Sequence, residues 1–302
     1  MADLSRSAAR SSFVTVRDGL KLHVGHWPAP RSKARPVLCL PGLTRNGRDF
    51  LDVAAALSDG PDGREVFALD ARGRGLSDCD PDWRNYSIPT ETHDVIDVMT
   101  ALGLHDAAIL GTSRGGLLAM VLAAIQPTMI GAIVLNDIGP VIEREGLMRI
   151  AGYVGRMPLP LSWADAEKMI ADISAKAFPA VQADVWPKLA RAWFNEQDGR
   201  PAPGYDPSLG RSFSSTDATP PALWPQFGAL KNAAVLVVRG ETSDLLSAAT
   251  VTEMQARHPN CARLTVRGEG HAPLLMDKPT IGAIRTFFDA ADRSQSIAGK
   301  TY

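Results

Sequence analysis

The chain has 302 residues, of which 45% are hydrophobic and 22% charged, with a net charge of −1. That length holds one large α/β domain or two ordinary ones, and the apolar content is ample for a buried core. The balanced charge leaves no basic footprint for nucleic acid or an anionic membrane, and no apolar run approaches the length of a membrane span. The opening stretch MADLSRSAARSS holds no apolar segment of the signal-peptide kind. Cys39, Cys79 and Cys261 lack CxxC spacing, and their odd number argues against a disulfide framework. The expectation is a cytoplasmic protein, monomer or homodimer, whose partner is a small-molecule substrate and neither nucleic acid nor membrane.

Residues 1–11 read as a flexible tail. Phe13–Arg17 and Leu20–Val24 read as two strands about Asp18-Gly19, a strong hairpin signal. Val37–Leu40 is a buried strand that breaks at Pro41-Gly42. An amphipathic helix over Phe50–Leu57 follows, then a strand over Val66–Leu69. A helix is predicted from Thr90 to Leu102, with its cap and acids in the segment Thr90–Asp94. The strand Ala107–Leu110, a helix to about Ala124 and the strand Ala132–Leu135 continue the alternation. Past Gly139-Pro140 the rhythm stops, and a proline-rich, helical pattern without a clear strand runs to residue 227. The alternation resumes with strands at Ala234–Val238 and Arg263–Val266, and helices at Thr250–Arg257 and Thr280–Ala291. A starting hairpin followed by alternating strands and helices implies a mostly parallel, eight-stranded sheet with helices on both faces.

In such sheets function gathers at the carboxyl ends of the strands. Gly111, Ser113 and Gly115 form G-x-S-x-G between a strand and a helix. There the glycines clear a tight corner, and the serine hydroxyl is presented where helix N–H groups face developing negative charge. The turn after Leu40 offers the N–H of Leu43, which together with that of Arg114 would hold an oxyanion. The loop after Val238 carries Asp244, the first choice for orienting an imidazole, with Glu241 second. Asp137, also at a strand end, is a further possibility. His271 sits on a Gly-flanked loop after the last strand and is placed to act as general base and then general acid.

Serine, acid and histidine in that order, each at a strand end, resemble the α/β-hydrolase fold family. The matching motifs are LPGL at 40–43, DARGRGLSD at 70–78, GTSRGG at 111–116, RGETSD at 239–244 and GEGHAP at 268–273. The resemblance runs from about Phe13 to Ala291. It implies a core over 12–138 and 228–293, a helical cap over 139–227 after the sixth strand, and a C-terminal tail over 294–302. Pro41-Gly42 replaces the family's usual His-Gly, and a serine nucleophile disfavours the dehalogenase and epoxide-hydrolase branches, which use Asp. In DARGRGLSD, Gly73 and Gly75 read as shaping a turn beneath the site, and the Arg114 side chain as pairing with a nearby acid.

The expected chemistry is hydrolysis of a carboxylic ester of a small to medium hydrophobic substrate through an acyl-enzyme, with Ser113, His271 and Asp244 as the triad. No metal or organic cofactor is required. A carbon–carbon hydrolase of vinylogous diketones or a lactonase shares the same parts, and a ligand-binding pseudo-enzyme is the reading from another class. Aromatic residues crowd the cap. Tyr153, Trp163, Trp186 and Trp224 are the candidate pocket rings, the alternative being that such rings form the cap's own small core.

Overall fold

Every residue of the strand Val37–Leu40 and of the strand Val66–Leu69 is buried, the pattern of strands covered on both faces. The structure is a computed structural model that describes residues 9–213, 221–293 and 301–302. In chain order the first half runs β1 (Arg10–Thr15), β2 (Lys21–Trp27), β3 (Val37–Leu40), α1 (Leu51–Ser58), β4 (Val66–Leu69) and α2 (Ile88–Ala101). Then come β5 (Ala107–Thr112), α3 (Arg114–Ile125) and β6 (Ile130–Asn136). An insertion holds α4 (Arg144–Tyr153), α5 (Trp163–Ser174), α6 (Val185–Trp193), β7 (Asn195–Gln197), β8 (Arg200–Ala202) and α7 (Trp224–Gly228). The chain closes with β9 (Ala234–Gly240), α8 (Ala248–Arg257), β10 (Cys261–Val266) and α9 (Lys278–Asp292).

The main sheet has eight strands in the order β1-β2-β4-β3-β5-β6-β9-β10. β1 and β2 are antiparallel, as are β2 and β4, and all later pairs are parallel. Side chains alternate between two apolar layers. One face packs Leu38, Leu40, Ile109 and Ile133 against α2, α3 and α8. The other packs Cys39, Leu110, Val134 and Leu236 against α1 and α9.

Three local expectations change. β1 begins at Arg10, opposite His26, so residues 10 and 11 belong to the sheet and not to a tail; residues 1–8 lie outside the described residues. At the other end, residues 294–300 also lie outside them, while Thr301 bridges to Arg263 on the edge strand β10. The insertion is not wholly helical, because β7 and β8 form a hairpin about Asp198-Gly199, both with positive φ. That Asp-Gly pair was the available signal. Helix α2 starts two residues earlier than the expected Thr90, because Ser87 accepts the N–H of Thr90 and Pro89 pre-sets the first turn.

The corner from β5 into α3 is the tightest in the fold. A Cβ on Gly115 would lie 2.0 Å from the Leu40 carbonyl oxygen, and one on Gly111 would lie 2.7 Å from the Gly116 nitrogen. Helix α3 thus touches the backbone of β3, which sets the depth of the residue between those glycines. Gly115→Ala is expected to destabilise the fold by at least about 2 kcal/mol, since backbone must move. Urea denaturation measures this, and an unchanged midpoint would contradict the packing described.

Candidate active site

Ser113 occupies the corner itself, with φ 50° and ψ −113°, a left-handed conformation costly for a residue with a side chain. Its N–H donates to the Asn136 carbonyl at 3.0 Å, which ties the corner to the end of β6. Its Oγ lies 2.9 Å from Nε2 of His271. The other ring nitrogen, Nδ1, lies 2.8 Å from Oδ2 of Asp137. An ionised carboxylate only accepts hydrogen bonds, so Nδ1 carries the proton and Nε2 accepts from the serine hydroxyl.

The carboxylate that reaches the imidazole is therefore Asp137, and the expectation of Asp244 is corrected. Asp137 is fully buried at the end of β6. Its oxygens also accept the Gly240 N–H at 2.8 Å and the Ser243 hydroxyl at 2.5 Å. Asp244 instead takes a bidentate pair from Arg149 of α4, at 2.5 and 2.8 Å. Those hydrogen bonds hold its carboxyl below the ordinary value. Glu241 accepts the Gly268 N–H and is likewise engaged away from the ring. The reason is topological. β6 lies next to β5 in the sheet, so its end stands one strand closer to Ser113 than the end of β9.

The loop of Gly42 and Leu43 lies beside the serine: a Cβ on Gly42 would stand 3.8 Å from Cβ of Ser113. The Leu43 carbonyl accepts Nε of Arg74 at 2.8 Å, which anchors that loop from behind. Arg114 opens α3, where the first N–H groups have no acceptor inside the helix. The Arg114 side chain turns away from the serine and pairs with Glu91 at 2.6 Å, as expected of a partner acid.

The DARGRGLSD segment does more than turn. Asp70 accepts from the N–H groups of Gly47 and Leu76 and contacts His23 Nδ1 at 2.9 Å. Arg74, completely buried, joins Glu91 at 2.7 Å, so one carboxylate holds both Arg74 and Arg114. Burial pushes the Glu91 carboxyl up, but Arg114 and Arg74 outweigh it and hold it below its ordinary value of 4.5. Arg74 was missed in the sequence because an arginine among glycines looks like a solvated loop.

A cavity of about 730 Å³ opens above Ser113 and His271, between the insertion and the strand ends. Of the four rings expected to line it, Tyr153 does. Trp163 and Trp186 pack on the small core of α5 and α6, with Ala166, Ile170 and Leu189. Trp224 packs edge-on against Phe227 and under Arg257, remote from the cavity wall. Trp193, at the end of α6, lines the cavity with Arg45 stacked 3.7 Å from its ring centre. Helical spacing alone does not say which ring of an insertion faces inward. Among the described residues no group of three or more His, Cys, Asp or Glu could hold a metal ion.

Two outcomes follow from this geometry. Asp137→Asn should lower turnover by about 10³- to 10⁴-fold, whereas Asp244→Asn should stay within about tenfold of the parent. Steady-state kinetics of both variants decides, and the reverse ranking would return the role to Asp244. Glu91→Gln should cost about 3–5 kcal/mol, because the buried Arg74 and the partly buried Arg114 lose their shared carboxylate. Since the folded Glu91 titrates below 4.5, its contribution is complete above that pH and is lost as pH falls through the folded value. The parent should therefore lose stability on acidification more steeply than the variant, as thermal melts across pH 3–7 would record.

A model of the alpha/beta hydrolase family matches residues 37–283. The chain is 34% identical to a 3-hydroxybutyrate-oligomer hydrolase of Cupriavidus necator, over 94% of this chain and 99% of that one. It is 27% identical to a 2-(acetamidomethylene)succinate hydrolase of Mesorhizobium japonicum, over 82% of this chain and 86% of the relative. Among solved structures, an alpha/beta hydrolase from Novosphingobium aromaticivorans aligns with a TM-score of 0.86 at 38% identity, covering 93% of this chain and 98% of its own. The strand order, the serine at the corner after β5 and these matches agree, and the chain belongs to the alpha/beta hydrolase family.

Proposed function

We propose that the protein is a serine hydrolase that cleaves a carboxylic ester, with short esters of hydroxy acids as the favoured substrates. The observation that carries this reading is the unbroken chain from Ser113 through His271 to Asp137, at the floor of a cavity large enough for a small oligoester. Full-length likeness to a 3-hydroxybutyrate-oligomer hydrolase supports the choice of ester and of acyl group.

In this reading His271 takes the proton of Ser113 as its Oγ attacks the ester carbonyl. The N–H groups of Leu43 and Arg114 receive the oxyanion, and His271 then returns the proton to the leaving alcohol. An acyl-serine forms; water deprotonated by His271 attacks it and releases the acid. Asp137 keeps the imidazole in the Nδ1–H tautomer and stabilises its protonated form. The segment 139–227 serves as the cap that roofs the acyl chain.

The test is hydrolysis of p-nitrophenyl esters of increasing acyl length, together with the dimer of 3-hydroxybutyrate. Turnover should favour short acyl chains and fall by at least about 10⁴-fold in Ser113→Ala. An inactive parent whose Ser113 is still labelled by an organophosphonate would sink the ester reading and leave a competent nucleophile for a carbon–carbon bond.

A further inference from the structure

The cavity wall carries polar groups that ester hydrolysis itself does not use. Arg149 and Tyr153 stand four residues apart on α4 and share a face. Arg45 approaches from the loop that follows Leu43, and all three line the cavity. Each arginine is fixed by a carboxylate through Nε and Nη2: Arg45 by Asp49, Arg149 by Asp244. Their Nη1 groups stand outside those pairs. Tyr153 lies within electrostatic reach of both guanidinium groups, and its hydroxyl makes no hydrogen bond to any described residue. Tyr153 is partly buried and lines the cavity, where a bound ligand can supply a partner.

Charge favours an anion as that partner. Arg48 and Lys188 also line the cavity and have no carboxylate within ion-pair distance among the described residues. The only lining acid in the same condition is Asp52, which sits with exposed Leu51 at the outer edge. The Arg45–Asp49 pair is partly buried and holds its guanidinium oriented at the cavity wall.

We infer that Tyr153, flanked by Arg45 and Arg149, receives a carboxylate that the substrate carries apart from the bond that is cleaved. The hydroxyl of Tyr153 donates to that carboxylate, and the two Nη1 groups supply charge without giving up their own acids. An enzyme built this way selects small free acids that bear an ester, and passes over their fully esterified counterparts. The inference rests on the ester reading only for which end of the substrate faces Ser113.

The test compares monomethyl adipate with dimethyl adipate, two probes that differ only in a free carboxylate. In a Ser113→Ala background, calorimetry should show the monoacid binding at least about tenfold tighter than the diester, the effect of one hydrogen bond to a charged group. Tyr153→Phe in that background keeps the ring; it should erase most of the difference and leave diester binding unchanged. In the active enzyme the same substitution should lower kcat/KM for the monoacid alone, through KM. Equal binding of the two probes, or an equal loss of both in Tyr153→Phe, would overturn the carboxylate site. Discrimination in binding without hydrolysis of either probe would count against the ester reading while leaving the site intact.

Discussion

The structure depends on a single strained residue held by its neighbours. Ser113 has a left-handed backbone that no isolated peptide would favour, and it persists because strand β5 ends there and helix α3 must start there. Gly111 and Gly115 make that possible by letting the helix rest against the strand ends without side chains between them. The consequence is chemical. The hydroxyl is lifted clear of the sheet, beside the loop of Leu43, at the N-terminal end of α3.

Around this residue the sheet supplies the remaining parts from separate strands, and buried charge fixes them. Asp137 is fully buried and gathers the N–H of Gly240, the hydroxyl of Ser243 and the ring of His271, so the loop after β9 and the loop after β10 converge on one carboxylate. Behind the site, Glu91 gathers Arg74 and Arg114. Arg74 in turn holds the Leu43 carbonyl, so the loop facing the serine is positioned by a charge network outside the cavity lining. Such networks add little stability relative to apolar packing but tolerate few alternatives, which suits a site needing fixed geometry.

Much of this was legible in the residues, for reasons that differ between elements. The parallel strands announce themselves because burial on both faces requires short apolar runs, as at Val37–Leu40. Ser113 and His271 stand out because glycines flank them where a tight turn is needed. The acid did not stand out, because Asp137, Glu241 and Asp244 all occupy strand ends and polar loops. Choosing among them required knowing that β6 adjoins β5 and that Arg149 of the insertion engages Asp244. The rings of the insertion failed in the same way. Tyr153 and Trp193 face the cavity while Trp163 and Trp186 pack within α5 and α6, a difference set by helix orientation and not by composition.

In the proposed reaction Ser113 attacks the substrate and carries the acyl group. The most direct measurement is peptide mass spectrometry after acid quenching the enzyme during turnover of p-nitrophenyl butyrate. A butyryl group is expected on the peptide containing Ser113, present in the parent and absent from Ser113→Ala. Turnover without an adduct, or with the adduct on another residue, would contradict the proposed reaction.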